Sequence, residues 1–128
     1  MAKKLSLLVD TDVFIDYFNH QLFRELFEEG RFRIYYSVVT KKELFANKGL
    51  GESERKAISR FLRRHRIVSL DPSILGKYSE LRRRHPSAAK EDAPIAATAI
   101  VKKFPLVTRN KRHFQIFNDL DLWLGYHP

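Results

Sequence analysis

Residues 5–20 read LSLLVDTDVFIDYFNH, an aliphatic run that stops at a carboxylate and then changes its period. The run from Leu5 to Val9 is too short for a helix and suits a strand. From Val13 onward the apolar residues return as Val13, Phe14, Tyr17 and Phe18, which is the spacing of one helical face. A strand that feeds into a helix is half of a β-α-β unit, and Asp10 stands at the junction. In an open α/β sheet ligands bind where strands end and helices begin, so this carboxylate is the first candidate for chemistry.

The alternation continues along the chain. Short β-branched or aliphatic runs at 33–39, 67–70 and 106–108 predict three further strands. Between them, Leu22, Phe23, Leu26 and Phe27 repeat the helical spacing, as do Ile58, Phe61 and Leu62, and Ile74, Leu75, Tyr78 and Leu81. The helix through Ile74 has a clean start at Asp71 and Pro72, a capping carboxylate followed by a proline that loses no needed N–H in the first turn. Ile95, Ala96, Ala99 and Ile100 mark one more helix, with Pro94 tolerated in its first turn. Segments 47–53 and 85–91 are the expected loops, and a last strand over 120–123 is an option. Strands alternating with helices predict a mainly parallel central sheet with helices on both faces, a three-layer α/β sandwich, and 128 residues suffice for one domain, residues 1–128.

Composition narrows the chemistry. Cysteine is absent, so any metal must be held by oxygen or imidazole. The net charge of +9, from 24 Lys and Arg against 15 Asp and Glu, favours a polyanionic partner such as nucleic acid. The opening MAKKLSLLVD passes from Lys3 and Lys4 through a very short apolar run into Asp10, and no run reaches the length of a membrane span. A soluble, cytoplasmic protein with no membrane contact is expected.

Two more carboxylates occupy the position of Asp10 in later units. Thr40 and Glu43 follow the second strand at capping-box spacing, and Asp92 precedes the helical run APIAATAIVKK as an N-cap. Each acid on its own reads equally well as a helix cap. Three separate elements that deliver carboxylates to one sheet edge would repel unless a cation neutralised them, and Asp and Glu without Cys suit Mg²⁺ or Mn²⁺. The stretches LLVDTDVFIDYF, VVTKKELFA, EDAPIAATAI and PLVTRNKRHF, in this order from Leu7 to Phe114, resemble the successive motifs of PIN-domain nucleases, above all the VapC-type toxins of toxin–antitoxin pairs. The resemblance implies a PIN-like sandwich and a metal-dependent endoribonuclease that leaves 5′-phosphate and 3′-hydroxyl ends. It further implies a homodimer and an antitoxin from the neighbouring gene as partner. Asp10, Glu43 and Asp92 match the family's acidic metal ligands, and Thr108 matches the threonine before its last site. The fourth acid is missing: some members carry it where this chain has His113, others where it has Asn110.

Thr40, Thr108, Asn110 and His113 are therefore expected to support the site, and Lys41, Lys42 and Arg109 to contact the RNA backbone near it. The runs Arg63, Arg64, His65, Arg66 and Arg82, Arg83, Arg84, His85 are solvated faces or further phosphate contacts. The phenylalanines of the first half, Phe14, Phe18, Phe23, Phe27 and Phe45, are numerous enough to suggest a covered dimer face. Two other readings remain. The stretch VDTDV at 9–13 also resembles the nucleophile motif of haloacid-dehalogenase-type phosphatases, with Asp10 phosphorylated and Asp12 as the acid. A domain that binds RNA or protein without cutting is the other.

Overall fold

The computed structural model of the chain describes residues 4–125, and Lys3 of the charged opening lies outside them. Four strands form one sheet: β1 (Leu5–Val9), β2 (Phe32–Ser37), β3 (Arg66–Val68) and β4 (Leu106–Val107). Their order is β3-β2-β1-β4 and every pairing is parallel, with Leu7 opposite Ile34, Val9 opposite Val107 and Tyr36 opposite Ile67. Because all four run the same way, their carboxyl ends share one edge of the sheet.

Helices cover both faces. Leu7 and Val9 of β1 join a core with Val13 and Phe14 of α1 (Thr11–His20), Leu26 of α2 (Arg24–Glu28), Leu44 of α3 (Val38–Phe45) and Leu62 of α4 (Glu52–Arg63). Leu8 points the other way, into a core with Ile74 and Leu81 of α5 (Pro72–Arg84), Ile95, Ala96 and Ala99 of α6 (Asp92–Lys102), and Phe114 of α7 (Lys111–Phe114). Burial on both faces makes the last three residues of the strand, Leu7, Leu8 and Val9, continuously apolar. Phe14 is wholly buried, a contribution of about 1.5–3 kcal/mol, and its ring meets those of Phe18, Phe27, Tyr36 and Phe61.

Several boundaries move. The second strand stops at Ser37, two residues before the expected end, because the Ser37 hydroxyl accepts from the Val39 N–H at 3.1 Å and opens α3 there. The loop expected over 47–53 closes early: α4 begins at Glu52, where the Glu54 carboxylate reaches back to the Gly51 N–H at 3.1 Å. The expected last strand is a single parallel bridge, Leu106 to Leu122. The start of α5 is as read, with Asp71 accepting from the Ile74 N–H at 2.9 Å. No helix among the described residues is long and apolar enough to cross a membrane. The phenylalanines thought to exceed the core are absorbed by it: Phe14 and Phe23 are buried, and Phe18, Phe27 and Phe45 pack against the same cluster. The expectation of a dimer therefore loses that support and rests on resemblance.

Candidate active site

Asp10 leaves β1 at its carboxyl end, where its N–H donates to the Val107 carbonyl of β4 at 2.9 Å. Its side chain serves two ends. Oδ1 accepts from the Thr11 N–H at 2.8 Å, which caps α1, and Oδ2 accepts from the Thr108 hydroxyl at 2.8 Å, across 98 positions of sequence. Cap and site residue are thus one arrangement, with the cap fixing the carboxylate's rotamer. Thr108 in turn accepts from the Asn110 N–H at 3.0 Å, so the turn after β4 holds the hydroxyl in place. Asp10 is buried, and burial pushes its pKa up; the Thr108 and Thr11 bonds oppose the rise and the charge of Asp92 adds to it.

Glu43 reaches the same place from α3. The Thr11 hydroxyl lies 2.9 Å from Glu43 Oε1 and 2.9 Å from the buried Thr40 hydroxyl. One hydroxyl has one proton and an ionised carboxylate only accepts, so Thr11 donates to Glu43 and serves Thr40 as acceptor. The expected capping box of Thr40 and Glu43 does not form: Ser37 is the cap, and both residues lie inside α3. Asp92 is likewise the first residue of α6 rather than its cap, which is Glu91 with no side-chain bond. Glu43 and Asp92 are both raised in pKa, first by burial. Glu43 then feels Asp10 and Glu91, and Asp92 feels Glu91 and Glu43, while His113 pulls Asp92 the other way. Each of the three acids named from sequence is thus destabilised as an anion by another of the three.

Two residues near the missing fourth acid meet different partners. His113 Nδ1 stands 3.8 Å from Asp92 Oδ2, beside the cluster. Asn110 instead donates from Nδ2 to Asp12 Oδ2 at 2.9 Å, and its neighbour Arg109 pairs with Asp16. Arg109, expected to contact RNA, has this carboxylate as its partner, whereas Lys41 and Lys42 are exposed on α3. Asp12 and Asp16 were not assigned to a metal site from sequence, although their four-residue spacing puts both on one side of α1. Asp12 is pushed up to about 7, by burial first and then by Asp10 and Asp16, and its Oδ1 is buried without a hydrogen-bond partner among the described residues. Thr11 was missed as well, since nothing in sequence pairs it with Glu43.

The donor set consists of carboxylate oxygens under mutual repulsion, with one buried oxygen left unpaired, which is the chemistry of a hard divalent cation. Among the described residues no three such side chains gather tightly enough to cage an ion. A cage is not required, because Mg²⁺ keeps several waters and takes one or two carboxylates plus a substrate phosphate.

Comparison with known proteins gives a concordant result. Ribonuclease VapC1 of Methanocaldococcus jannaschii is 33% identical over an alignment of 132 positions, which covers 95% of this chain and 92% of that one. In solved structures, VapBC2 from Rickettsia felis, bound to a DNA fragment from its promoter, superposes with a TM-score of 0.79 at 23% identity, over 93% of this chain and 98% of the other. A toxin-antitoxin complex from Klebsiella pneumoniae gives 0.75 at 23% identity, over 89% and 94%. The family model of the PIN domain matches residues 7–119, a span that contains all three acids and the turn after β4. The stretch VDTDV is thereby the first PIN motif and not the opening of a phosphatase, and the chain belongs to the PIN domain family.

Proposed function

We propose that the protein is a ribonuclease of the VapC type, the toxin of a toxin–antitoxin pair, and that Asp10, Glu43 and Asp92 form its cutting site. The observation that carries this reading is the convergence of three carboxylates on one sheet edge, in a chain whose relative at 33% identity is a ribonuclease. Asp10 and Asp92 would hold Mg²⁺ or Mn²⁺, with Glu43 binding through water. When bound, a divalent cation supplies charge neutralisation at the scissile phosphate and a nucleophile at neutral pH.

The chain's own groups do the rest. Thr108 and the Thr11 N–H fix both oxygens of Asp10, so that carboxylate needs no reorganisation when substrate arrives. The Thr11 hydroxyl aims Glu43 and leaves its second oxygen free to orient a water against the phosphorus. His113, next to Asp92, is placed to hold a proton near the leaving oxygen. Lys41 and Lys42 offer charge to the flanking phosphates. A homodimer and an antitoxin partner complete the proposal, the latter supported by the toxin-antitoxin complex among the similar folds.

The test is incubation of a structured RNA with the protein and Mn²⁺, Mg²⁺ or EDTA. Cleavage with either ion and none in EDTA is expected, with 5′-phosphate and 3′-hydroxyl ends. RNA that is bound and left intact under all three conditions would instead establish the non-catalytic reading.

A further inference from the structure

The opposite edge of the sheet is also a built surface. Toward that edge lie Lys4, just before β1, and Arg33, the second residue of β2, while Arg66, the first residue of β3, stands further up, paired with Tyr35 three residues into β2. Arg64, at the end of α4, joins them. These four residues line a cleft of about 750 Å³ whose wall includes Tyr17, Phe27 and Phe61, and the Arg66 guanidinium lies over the Tyr35 ring at 6.0 Å from its centroid. Glu28 is the one carboxylate in the lining, and it is already taken by the Tyr17 hydroxyl at 2.7 Å and by Arg24 at 3.3 Å. Among the described residues none of the four cations has an ion-pair partner.

A second feature points to a ligand in the same place. His65 lines the cleft with its ring against Phe27 and Phe61, at centroid distances of 5.8 and 4.9 Å, and its Nε2 is buried with no hydrogen-bond partner among the described residues. An unpaired buried polar atom costs free energy that a ligand contact would recover. Four cations without counter-charges repel one another, and a polyanion laid across them relieves that repulsion. We propose that this cleft grips the phosphate backbone of RNA, at a second contact remote from the cutting edge. The five residues of β1, about 17 Å long, separate Lys4 from Asp10, and Arg66 is level with Leu8, a span that one folded RNA covers. The aromatic rings pack on one another rather than standing free, with Tyr17 and Phe61 stacked at 5.2 Å, so the cleft reads charge and not base identity.

This assignment rests on the ribonuclease reading only for the identity of its ligand, and its test separates the two. A fluorescent RNA is titrated with the protein in EDTA, so that binding is read without cleavage, over a range of salt. The variants are Lys4→Gln, Arg64→Gln and Arg66→Gln, with Arg83→Gln on α5 as the control for lost charge alone. Each cleft variant is expected to flatten the salt dependence by about 0.7 per contact removed, and Arg64→Gln with Arg66→Gln together to weaken binding about tenfold near 0.15 M salt. Arg64→Lys should restore most of the loss. In Mn²⁺ the double variant should show a raised KM and an unchanged kcat, with no change in cleavage of a short RNA that cannot span both edges. Affinity and salt slope equal to those of Arg83→Gln would overturn the proposal and leave the nuclease reading intact. Equal loss of binding to polyglutamate would also overturn it, by making the cleft a general polyanion surface. RNA bound through the cleft and never cut would defeat the nuclease reading alone.

Discussion

The two edges of the sheet carry opposite charge. At the carboxyl edge burial and mutual repulsion raise the pKa of Asp10, Asp12, Glu43 and Asp92, with the charges of Asp16 and Glu91 adding to the repulsion. On the β1, β2 and β3 side Lys4, Arg33, Arg64 and Arg66 line one cleft with a single, already occupied carboxylate among the described residues. A net charge of +9 hides this division, because the sum says nothing of where the charges sit. The acidic edge repels RNA until a cation is present, whereas the basic edge attracts it at any time. The proposed cutting site and the proposed RNA contact thus draw on different parts of the sheet, the one at its carboxyl edge and the other along β1, β2 and β3.

The largest effect should come from removing a carboxylate at the acidic edge. Asp10→Asn keeps the shape of the side chain but only one of its two acceptor oxygens, and cleavage should fall by more than about 100-fold, since even outer partners of a metal site cost 10–100-fold. Unchanged circular dichroism together with unchanged turnover would place the cutting site elsewhere. RNA binding in EDTA should not weaken, because the variant removes a repulsive charge.

Next comes Thr108→Val, which leaves the buried volume nearly constant but frees Asp10 Oδ2 and the Asn110 N–H. Turnover should drop by about 10–100-fold with KM for RNA little changed. A change in KM alone would mean that Thr108 touches RNA and does not position Asp10.

The acidic edge should also be visible in stability. Asp12 sits at about 7 in the fold against an ordinary value of 3.8, so between those limits the folded chain holds a proton that the unfolded chain releases. Its contribution to stability is complete below about pH 4 and is lost as pH rises through 7. Asp10, Glu43 and Asp92 shift in the same direction. Melting in EDTA should therefore lose a few degrees between pH 5 and pH 8, Asp12→Asn should flatten that slope, and Mn²⁺ should restore stability most at the upper end. A slope identical in Asp12→Asn would show that this acid ionises normally.

The smallest effect concerns the missing acid. His113→Asp sets a carboxylate near Asp92, at a place now 3.8 Å from it, and should tighten Mg²⁺ by up to about tenfold in calorimetric titration. The unaltered protein should be more active with Mn²⁺ than with Mg²⁺, because imidazole favours the softer ion. Asn110→Asp is now expected to do less, since its side chain faces Asp12 rather than Asp92.

Much of this was legible in the chain itself. Unbroken apolar runs followed by helical spacing determined the strands, the helices and the parallel sheet, because a buried parallel strand must be apolar on both faces. Asp10 and Glu43 could be named because the carboxyl ends of parallel strands share an edge, and Asp92, which no strand precedes, because it opens a helix and matches the family's motif. What only the tertiary structure decided are contacts between elements far apart in sequence: Thr108 on Asp10, Thr11 on Glu43, Asn110 on Asp12 and Arg109 on Asp16. The basic cleft belongs to the same class, since Lys4, Arg33, Arg64 and Arg66 come from separate segments and adjoin only once the strands pair in order β3-β2-β1. Periodicity reports which face of an element is buried, through the apolar side chains it repeats. It carries no record of which polar side chain meets which, because that depends on strand order, register and helix rotation, and these are set when the whole core packs.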